Sequence, residues 1–283
     1  MSWLRRVITR KAAELLTKPR GTYELIQPND LASLRRLIRQ GDIVLVEGDQ
    51  RVSSVIKYLT QSMWSHSAIY VGDELIRRYP TQRGGLESQH GEDAAHLLVE
   101  ALVETGVTVS PLSKYTHFNL RVCRPRRLQA DHLARILDEV LAQVGFTYDV
   151  KNVLDLARYF FPVSLIPARF RRTALDFGSG LTTEVICSSI IARAFQNVGY
   201  PVMPRFTPMK FESGERSLLD RLRRTKQPYP AIFSRRNPRV ITPRDFDLSP
   251  YFDVIKFNAI EDEHFDYRRI RWDDEPRQRK GVS

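Results

Sequence analysis

The chain has 283 residues, of which 42% are hydrophobic and 10% aromatic, and its formal net charge is +11 at pH 7. This length allows one large domain with extensions, and the composition excludes a wholly disordered chain. No apolar run approaches the roughly 20 residues that a membrane-spanning helix requires, and the first residues lack the apolar core of a secretory signal. Because two cysteines cannot form a disulfide framework, we expect a cytoplasmic protein; no ligand cluster predicts a metal, and no cofactor is expected.

The positive charge is concentrated in two segments. Residues 1–40 contain 9 Lys and Arg against 3 Asp and Glu, and residues 205–244 contain 11 against 3. Such basic flanks predict attraction to a polyanionic surface. They lack an interleaved aromatic platform or a recognisable nucleic-acid motif, so we expect no nucleic-acid partner.

The first predicted helix is amphipathic and basic. Its apolar stripe and the basic residues around it are Trp3, Leu4, Val7, Ile8, Leu15 and Leu16, and Arg5, Arg6, Arg10 and Lys11. A helix of this kind can lie in a membrane interface, but it can equally dock on its own domain with the stripe facing inward. A second helix is predicted over about 30–40, with Asp30 as its cap and Gly41 as its stop.

Short apolar runs bounded by turn residues predict a series of strands in the next part of the chain. They lie at 43–47, 64–73, 97–103, 106–109 and 119–123. A short helix is predicted over about 54–60, and a loop rich in Gly, Gln and Ser over 81–93. Strands this closely spaced favour a mostly antiparallel sheet or a small barrel.

The hydrophobic period changes to that of a helix after about residue 131. Helices are predicted at about 131–145 and 152–161, and a third runs from a cap at Thr182-Thr183 to Gly199. Repeated prolines after residue 200 predict extended chain and short elements that wrap the domain, with a polar tail after about Trp272. The predicted organisation is a basic helical extension at 1–40, an α+β domain at 41–200 and a Pro-rich segment at 201–283.

Cys187 is the candidate nucleophile because it falls in the first turn of the third helix. Backbone N–H groups and the positive end of the helix dipole stabilise a thiolate at that position. The alternative is a buried structural cysteine, since free cysteine is among the most buried residue types. A nucleophile also needs a base within hydrogen-bond reach and a residue that holds the base.

Two polar residues inside apolar strands can supply the base and its partner. His66 lies within a strongly apolar strand, and Glu100 stands between Val99 and Ala101. Each can be a satisfied structural residue when it is taken alone. If the two strands are neighbours, Glu100 can accept from one imidazole nitrogen and leave the other facing Cys187.

Five sequence blocks share their order with a known family. They are Gly41-Asp-Ile-Val-Leu-Val, Trp64-Ser-His-Ser-Ala-Ile-Tyr-Val-Gly72, Leu98-Val-Glu-Ala101, Gly145-Phe-Thr-Tyr-Asp149 and Val185-Ile-Cys-Ser188. Over about residues 41–200 the chain resembles the YiiX/YebB-like proteins. These are circularly permuted members of the NlpC-type, papain-like cysteine hydrolases, and are related to lecithin:retinol acyltransferase-like enzymes. The resemblance implies a permuted papain-like α+β fold, an antiparallel sheet or small barrel packed against helices.

The resemblance also implies a role for each of the three residues. Cys187 matches the nucleophile, His66 the base and Glu100 the residue that orients the base. One departure is Ser189, because many relatives have an acidic residue two positions after the cysteine. The basic N-terminal helix and the long C-terminal segment also lie outside the core pattern of the family.

These residues and the resemblance predict a cysteine hydrolase or acyltransferase that cleaves an amide or ester bond through a thioester on Cys187. A peptide, amide or lipid-ester substrate is expected, at the inner face of a membrane if the N-terminal helix binds there. Tyr70, Tyr148 and Ser188 are further candidates for substrate binding, although aromatic side chains beside a core are more often packing. The alternative is a catalytically silent membrane-surface binding module of the same fold.

Overall fold

The centre of the molecule is a six-stranded sheet in which every pair of neighbours is antiparallel. The computed structural model describes residues 19, 23–102, 105–146, 186–208 and 231–257. The sheet has the order β4-β3-β2-β1-β5-β8. Its strands are β1 (Ile43–Val46), β2 (His66–Gly72), β3 (Leu97–Leu102), β4 (Gly106–Pro111), β5 (Leu120–Pro125) and β8 (Phe252–Ile255). A separate hairpin pairs β6 (Arg205–Pro208) with β7 (Ala231–Ser234).

Seven α-helices lie in the described residues. They are α1 (Leu31–Leu37), α2 (Arg51–Thr60), α3 (Glu74–Arg78), α4 (Arg83–His90), α5 (Ala130–Leu141), α6 (Ile186–Asn197) and α7 (Pro243–Leu248). Short 3₁₀ turns cover Pro80–Gln82, Gly91–Ala95, Leu112–Tyr115 and Pro238–Val240. The predicted cap of α1 is present, because the Asp30 carboxylate accepts from the N–H groups of Ala32 and Ser33.

Both faces of the sheet are buried, since successive side chains of a strand point to opposite sides. The first face packs against α5 and α6, and its apolar strand residues include Ile43, Leu45, Ile69, Val71 and Val99. Helix α6 contacts β2 and β3. The core therefore fixes the helix that carries Cys187 against the two strands that carry His66 and Glu100.

The second face packs against α1 and the 3₁₀ turn Leu112–Tyr115. Its buried residues include Leu34, Ile38, Val44, Ala68, Leu98, Leu112, Tyr115 and Val122. Ala68 of β2 stands opposite Glu100 of β3 in the strand register. Because cross-strand partners project from the same side of a sheet, Glu100 belongs to this second face.

The strand predictions are confirmed, and the sheet is open within the described residues, with β4 and β8 at its edges. The predicted loop over 81–93 is wrong, because this segment contains α4 and the turn Gly91–Ala95. Arg83 and Glu87 form an ion pair of 2.8 Å one helical turn apart. A high content of Gly, Gln and Ser therefore did not exclude a short helix at the surface.

Part of each predicted flank packs on the central sheet. Leu34 of α1 is fully buried, and Asn29 donates to two backbone carbonyls of the segment before β5 at 2.8 and 2.6 Å. At the other end of the chain, β8 pairs with β5, and Phe246 of α7 is fully buried. Part of 23–40 and part of 231–257 thus complete the same core as the strands between them.

Several predictions fall outside the described residues and stay predictions. They concern the amphipathic helix before residue 19, the helix at 152–161, the cap at Thr182-Thr183 and the polar tail. Among the described residues, no helix has the length and apolar character needed to cross a membrane.

Candidate active site

His66 and Glu100 form a hydrogen-bonded pair across β2 and β3. Nε2 of His66 lies 2.6 Å from Oε2 of Glu100. The side chain of Glu100 is fully buried, and that of His66 is 16% exposed. The register explains the contact, because His66 stands two residues from Ala68, the direct partner of Glu100. The two strands are neighbours, as the sequence hypothesis required.

Cys187 reaches the same histidine from the other side of the sheet. It is the second residue of α6, which packs on the first face, and it shares a hydrogen bond with the His66 ring. His66 is the first residue of β2, so its ring can meet both faces at the end of the strand. Because Nε2 of His66 is hydrogen-bonded to Glu100, Nδ1 is the ring nitrogen that is left for the Cys187 sulfur. The backbone amide and hydroxyl of Ser67 also lie beside Sγ.

The charges of the site favour a thiolate and an imidazolium. Burial alone lowers the pKa of His66, but the adjacent Cys187 and Glu100 raise it to about 10. Burial raises the pKa of the Cys187 thiol, yet His66 and Ser67 outweigh this effect and hold the pKa below its ordinary value. Both shifts arise because opposite charges are in contact where little water screens them. We therefore expect the ion pair to be the resting form at neutral pH.

Glu100 has two further partners that the sequence reasoning missed. Nζ of Lys114 lies 2.6 Å from Oε1, and the hydroxyl of Tyr115 donates to Oε2. Burial raises the pKa of Glu100, but His66 and Lys114 hold it well below its usual range. Burial and the charge of Glu100 raise the pKa of Tyr115 far above its ordinary value. Glu100 is thus a carboxylate with three donors.

One family model matches part of the sequence. Residues 37–170 match the family model of the permuted papain-like amidase enzymes of the YaeF/YiiX type, the C92 family. Over these residues the chain is similar to the permuted papain-like amidase family. The matched range includes His66 and Glu100 and ends before Cys187. The predicted family and fold class are confirmed, since the sheet and its covering helices form the mixed α and β architecture that the prediction describes.

The match to a family of papain-like amidase enzymes supports a cysteine hydrolase. Among solved structures, the chain is similar to metalloprotein yiiX from Escherichia coli O157:H7, at 16% sequence identity and a TM-score of 0.41. That similarity covers 77% of this chain and 97% of the other. No curated protein matches the chain. In the part of the chain that the structure describes, no group of three or more His, Cys, Asp or Glu side chains could hold a metal ion.

Of the remaining candidates for substrate binding, Tyr70 and Ser188 lie within the described residues. The hydroxyl of Tyr70 lies 2.9 Å from Nδ1 of His96, within the core between the sheet and α1, and burial raises its pKa to about 12. Ser188 is fully buried and donates to the carbonyl of Ile241 at 2.6 Å. These contacts hold both side chains in the core, and a role of Tyr70 or Ser188 in substrate binding stays a prediction. Tyr148 lies outside the described residues.

The sequence indicates some residues of this site more clearly than others. His66 and Glu100 were conspicuous because a strand core rarely holds a histidine or a carboxylate without a reason. Lys114 and Tyr115 stand in a short turn between predicted strands, where lysine and tyrosine are unremarkable. Only the register of β3 and β4, which brings Glu100 opposite Thr108, shows how near that turn lies to the carboxylate.

Proposed function

We propose that this amidase-family protein cleaves an amide or ester bond through a thioester on Cys187. His66 acts as the acid and base, and Glu100 orients its ring. The observation that carries the proposal is the convergence of three elements, α6, β2 and β3, on one imidazole. A sulfur and a carboxylate on opposite nitrogens of one histidine form the arrangement that nucleophilic catalysis requires.

The first half of the reaction forms the thioester. The Cys187 thiolate attacks the carbonyl carbon, and the carbonyl oxygen becomes an oxyanion. The N–H group of Cys187 is a suitable donor to that oxyanion, since the first N–H groups of a helix have no partner within it. The tetrahedral intermediate then collapses, and Nδ1–H of His66 protonates the departing nitrogen or oxygen. The first product leaves with that proton, and the acyl group stays on sulfur.

The second half of the reaction removes the acyl group. Neutral His66 takes a proton from water, and the resulting hydroxide attacks the thioester carbonyl. Collapse releases a carboxylic acid and restores the thiolate beside a protonated His66. An amine or alcohol in place of water gives acyl transfer by the same steps. The family name supports an amide substrate, while the thioester chemistry accommodates a peptide or a lipid ester equally.

The most direct test of the proposal is capture of the acyl-enzyme. The full-length protein is incubated with a panel of activated acyl esters and acyl anilides, quenched in acid and analysed by intact and peptide mass spectrometry. We expect the acyl mass on the peptide that contains Cys187, and no adduct in Cys187→Ala. Cys123→Ala is the matched control and should form the adduct like the wild type. An adduct that persists in Cys187→Ala contradicts the proposal.

We further propose that the reaction takes place at an anionic membrane surface. Support comes from the sequence of the N-terminal segment, in which an apolar stripe lies beside four basic residues. Each basic residue contributes about 1 kcal/mol near an anionic surface, and the apolar face adds burial, so the two together give reversible binding. Salt weakens the electrostatic part.

Sedimentation with vesicles tests the membrane proposal separately from the chemistry. The protein should sediment with anionic vesicles, less with neutral vesicles, and less again at high salt. Removal of residues 1–18 should release it, while Pro19, which forms a bridge with Gln50, is kept. Sharp loss of thermal stability in the shortened chain, without vesicle binding in the full one, would show that the stripe docks on its own domain. Vesicle binding without any acyl-enzyme would instead indicate the silent binding module.

A further inference from the structure

We propose that Lys114 and Tyr115 are positioning residues that keep Glu100 a hydrogen-bond acceptor for His66. The proton that His66 takes from Cys187 then stays on His66 and is not passed on to Glu100. This inference rests on the proposed function, because it assigns a role within the same site. It concerns two residues of one short turn, Leu112–Tyr115, of which Tyr115 also packs its ring against that of His66, with the ring centres 6.0 Å apart. Their effect acts through the carboxylate between them.

The geometry of Glu100 is fixed by three donors that come from different directions. Oε2 accepts from His66 Nε2 at 2.6 Å and from the Tyr115 hydroxyl. Oε1 accepts from Lys114 Nζ at 2.6 Å. Lys114 is itself held, with Nζ 3.3 Å from the hydroxyl of Ser110 and 5.0 Å from the centre of the Tyr115 ring. A carboxylate held by three donors has no freedom to turn away from the imidazole.

Burial makes these donors necessary. The Glu100 side chain has no exposed surface, whereas the Lys114 side chain is 35% exposed. A carboxylate buried without a partner takes up a proton rather than remain charged. Without Lys114 and Tyr115, Glu100 could accept the proton that His66 received from the thiol. The imidazole would then be neutral, and the thiolate would lose the positive charge beside it.

Each partner limits that proton transfer in its own way. Lys114 supplies a positive charge, so that the four groups Cys187, His66, Glu100 and Lys114 are together neutral when all are ionised. Tyr115 can only donate to the carboxylate, since both burial and the Glu100 charge disfavour the phenolate. Its hydrogen bond occupies the same oxygen that faces His66 and lowers the basicity of that oxygen.

The pH dependence of Cys187 alkylation tests this role without knowledge of the substrate. The full-length wild type, Lys114→Met, Tyr115→Phe and Lys114→Arg are treated with iodoacetamide between pH 4 and 11, and the Cys187 peptide is quantified by mass spectrometry. We expect the acidic limb of the rate profile to move to higher pH by about one unit in Lys114→Met, because Glu100 then takes up the His66 proton more readily and the thiolate loses the positive charge beside it. Tyr115→Phe should move it in the same direction by less, and Lys114→Arg should restore the wild-type profile.

Two control variants remove similar contacts elsewhere in the molecule. Lys57→Met breaks a 2.9 Å ion pair with Glu47, and Tyr200→Phe removes a hydroxyl that donates to the carbonyls of Arg126 and Tyr251. Each costs stability but should leave the alkylation profile unchanged. All variants are assayed well below their melting temperatures. If Lys114→Met does not fold, the isosteric Tyr115→Phe variant decides the question alone.

The outcomes separate this inference from the proposed function. A wild-type Cys187 that reacts no faster than Cys123 overturns both. A reactive wild-type Cys187, together with profiles for Lys114→Met and Tyr115→Phe that superimpose on the wild type, overturns only the positioning role. In that case the two residues stabilise the fold around Glu100 and nothing more.

Discussion

The two cysteines of this protein are both buried, yet their surroundings are opposite. Cys123 lies in β5, between β1 and the edge strand β8. It has no exposed surface and packs among apolar side chains of the first face. Cys187 is 7% exposed and lies at the start of α6 against an imidazole. Burial raises the pKa of Cys123 to about 12, with a smaller contribution from Asp247. The pKa of Cys187 is lowered instead.

The difference teaches that burial alone does not determine whether a cysteine is reactive. Burial disfavours the thiolate at both positions, and only at Cys187 does a neighbouring positive charge outweigh it. That charge is stabilised because Cys187 itself and Glu100 both raise the pKa of His66. In the proposed mechanism, the reactivity of Cys187 depends on four side chains: Cys187, His66, Glu100 and Lys114.

The largest effect should come from replacing the two cysteines with serine, one at a time. Cys187→Ser should lower turnover of an accepted acyl substrate by about 10³-fold or more, since a serine hydroxyl beside His66 is a far weaker nucleophile than the thiolate. Cys123→Ser should leave turnover within about twofold. It should instead cost about 1–3 kcal/mol of unfolding free energy, because a hydroxyl replaces sulfur in an apolar core. Steady-state kinetics and urea denaturation measure the two effects.

Reversed effects in these two variants would contradict the roles that we assign to the two cysteines. Lost activity in Cys123→Ser with unchanged stability would place the chemistry at β5. Equal losses of activity and stability in both variants would indicate that the two sulfurs are structural.

A second prediction concerns the charge of Glu100. Glu100→Gln should lower turnover on the order of 10²- to 10⁴-fold, because the amide keeps the shape but cannot stabilise the imidazolium. It should also cost about 1–3 kcal/mol of unfolding free energy, since one of the three donors around this buried side chain is left facing an N–H₂ group. The matched control is Glu47→Gln, which breaks a similar carboxylate–lysine contact and should keep full activity. Full activity in Glu100→Gln would make this carboxylate structural.

The pH profile provides a third, more graded test. His66 must carry a proton to release the leaving group, and its pKa is raised to about 10. If the acylation step limits turnover, activity should therefore persist at mildly alkaline pH and fall about tenfold per unit as pH rises above 10. In Glu100→Gln the residual activity should fall at lower pH, because the carboxylate contributes to the raised pKa of His66. An alkaline limb near 6.5 in the wild type would contradict the ion pair.

The smallest effect is expected from the neighbour of the nucleophile. Ser188→Ala removes the hydrogen bond to the Ile241 carbonyl and should cost about 1 kcal/mol of unfolding free energy. The rate of Cys187 alkylation should stay within about twofold of the wild type. A large change in KM at unchanged stability would show that Ser188 does contact the substrate.

The sequence predicted the parts of the molecule where a local pattern and a burial requirement agree. The strands were visible as apolar runs, and the Asp30 cap as a carboxylate before a helical period. His66 and Glu100 were visible because each is a polar residue within an apolar strand. A contact between the two side chains explains both positions. Residues that do not fit the local pattern of their element are expected at functional sites.

The features that the sequence did not predict depend on how the helices, strands and turns pack together. Helix α4 was missed because its composition resembles a loop, while its packing against α3 and the turn Gly91–Ala95 is a tertiary contact. Lys114 and Tyr115 were missed because their side chains have no unusual local context, and only the fold of β3, β4 and the following turn brings them to Glu100. The same is true of Arg124, which pairs with the buried Asp42 at 2.7 Å.

The most direct test of the whole account is the relative alkylation rate of the two cysteines in the folded wild-type protein. Both peptides are followed in one reaction with iodoacetamide at pH 7, so that each molecule provides its own control. We expect Cys187 to react at least about 100-fold faster than Cys123, and denaturation to bring the two rates together, because the difference belongs to the folded environment. Equal rates in the folded protein, or faster labelling of Cys123, would contradict the account.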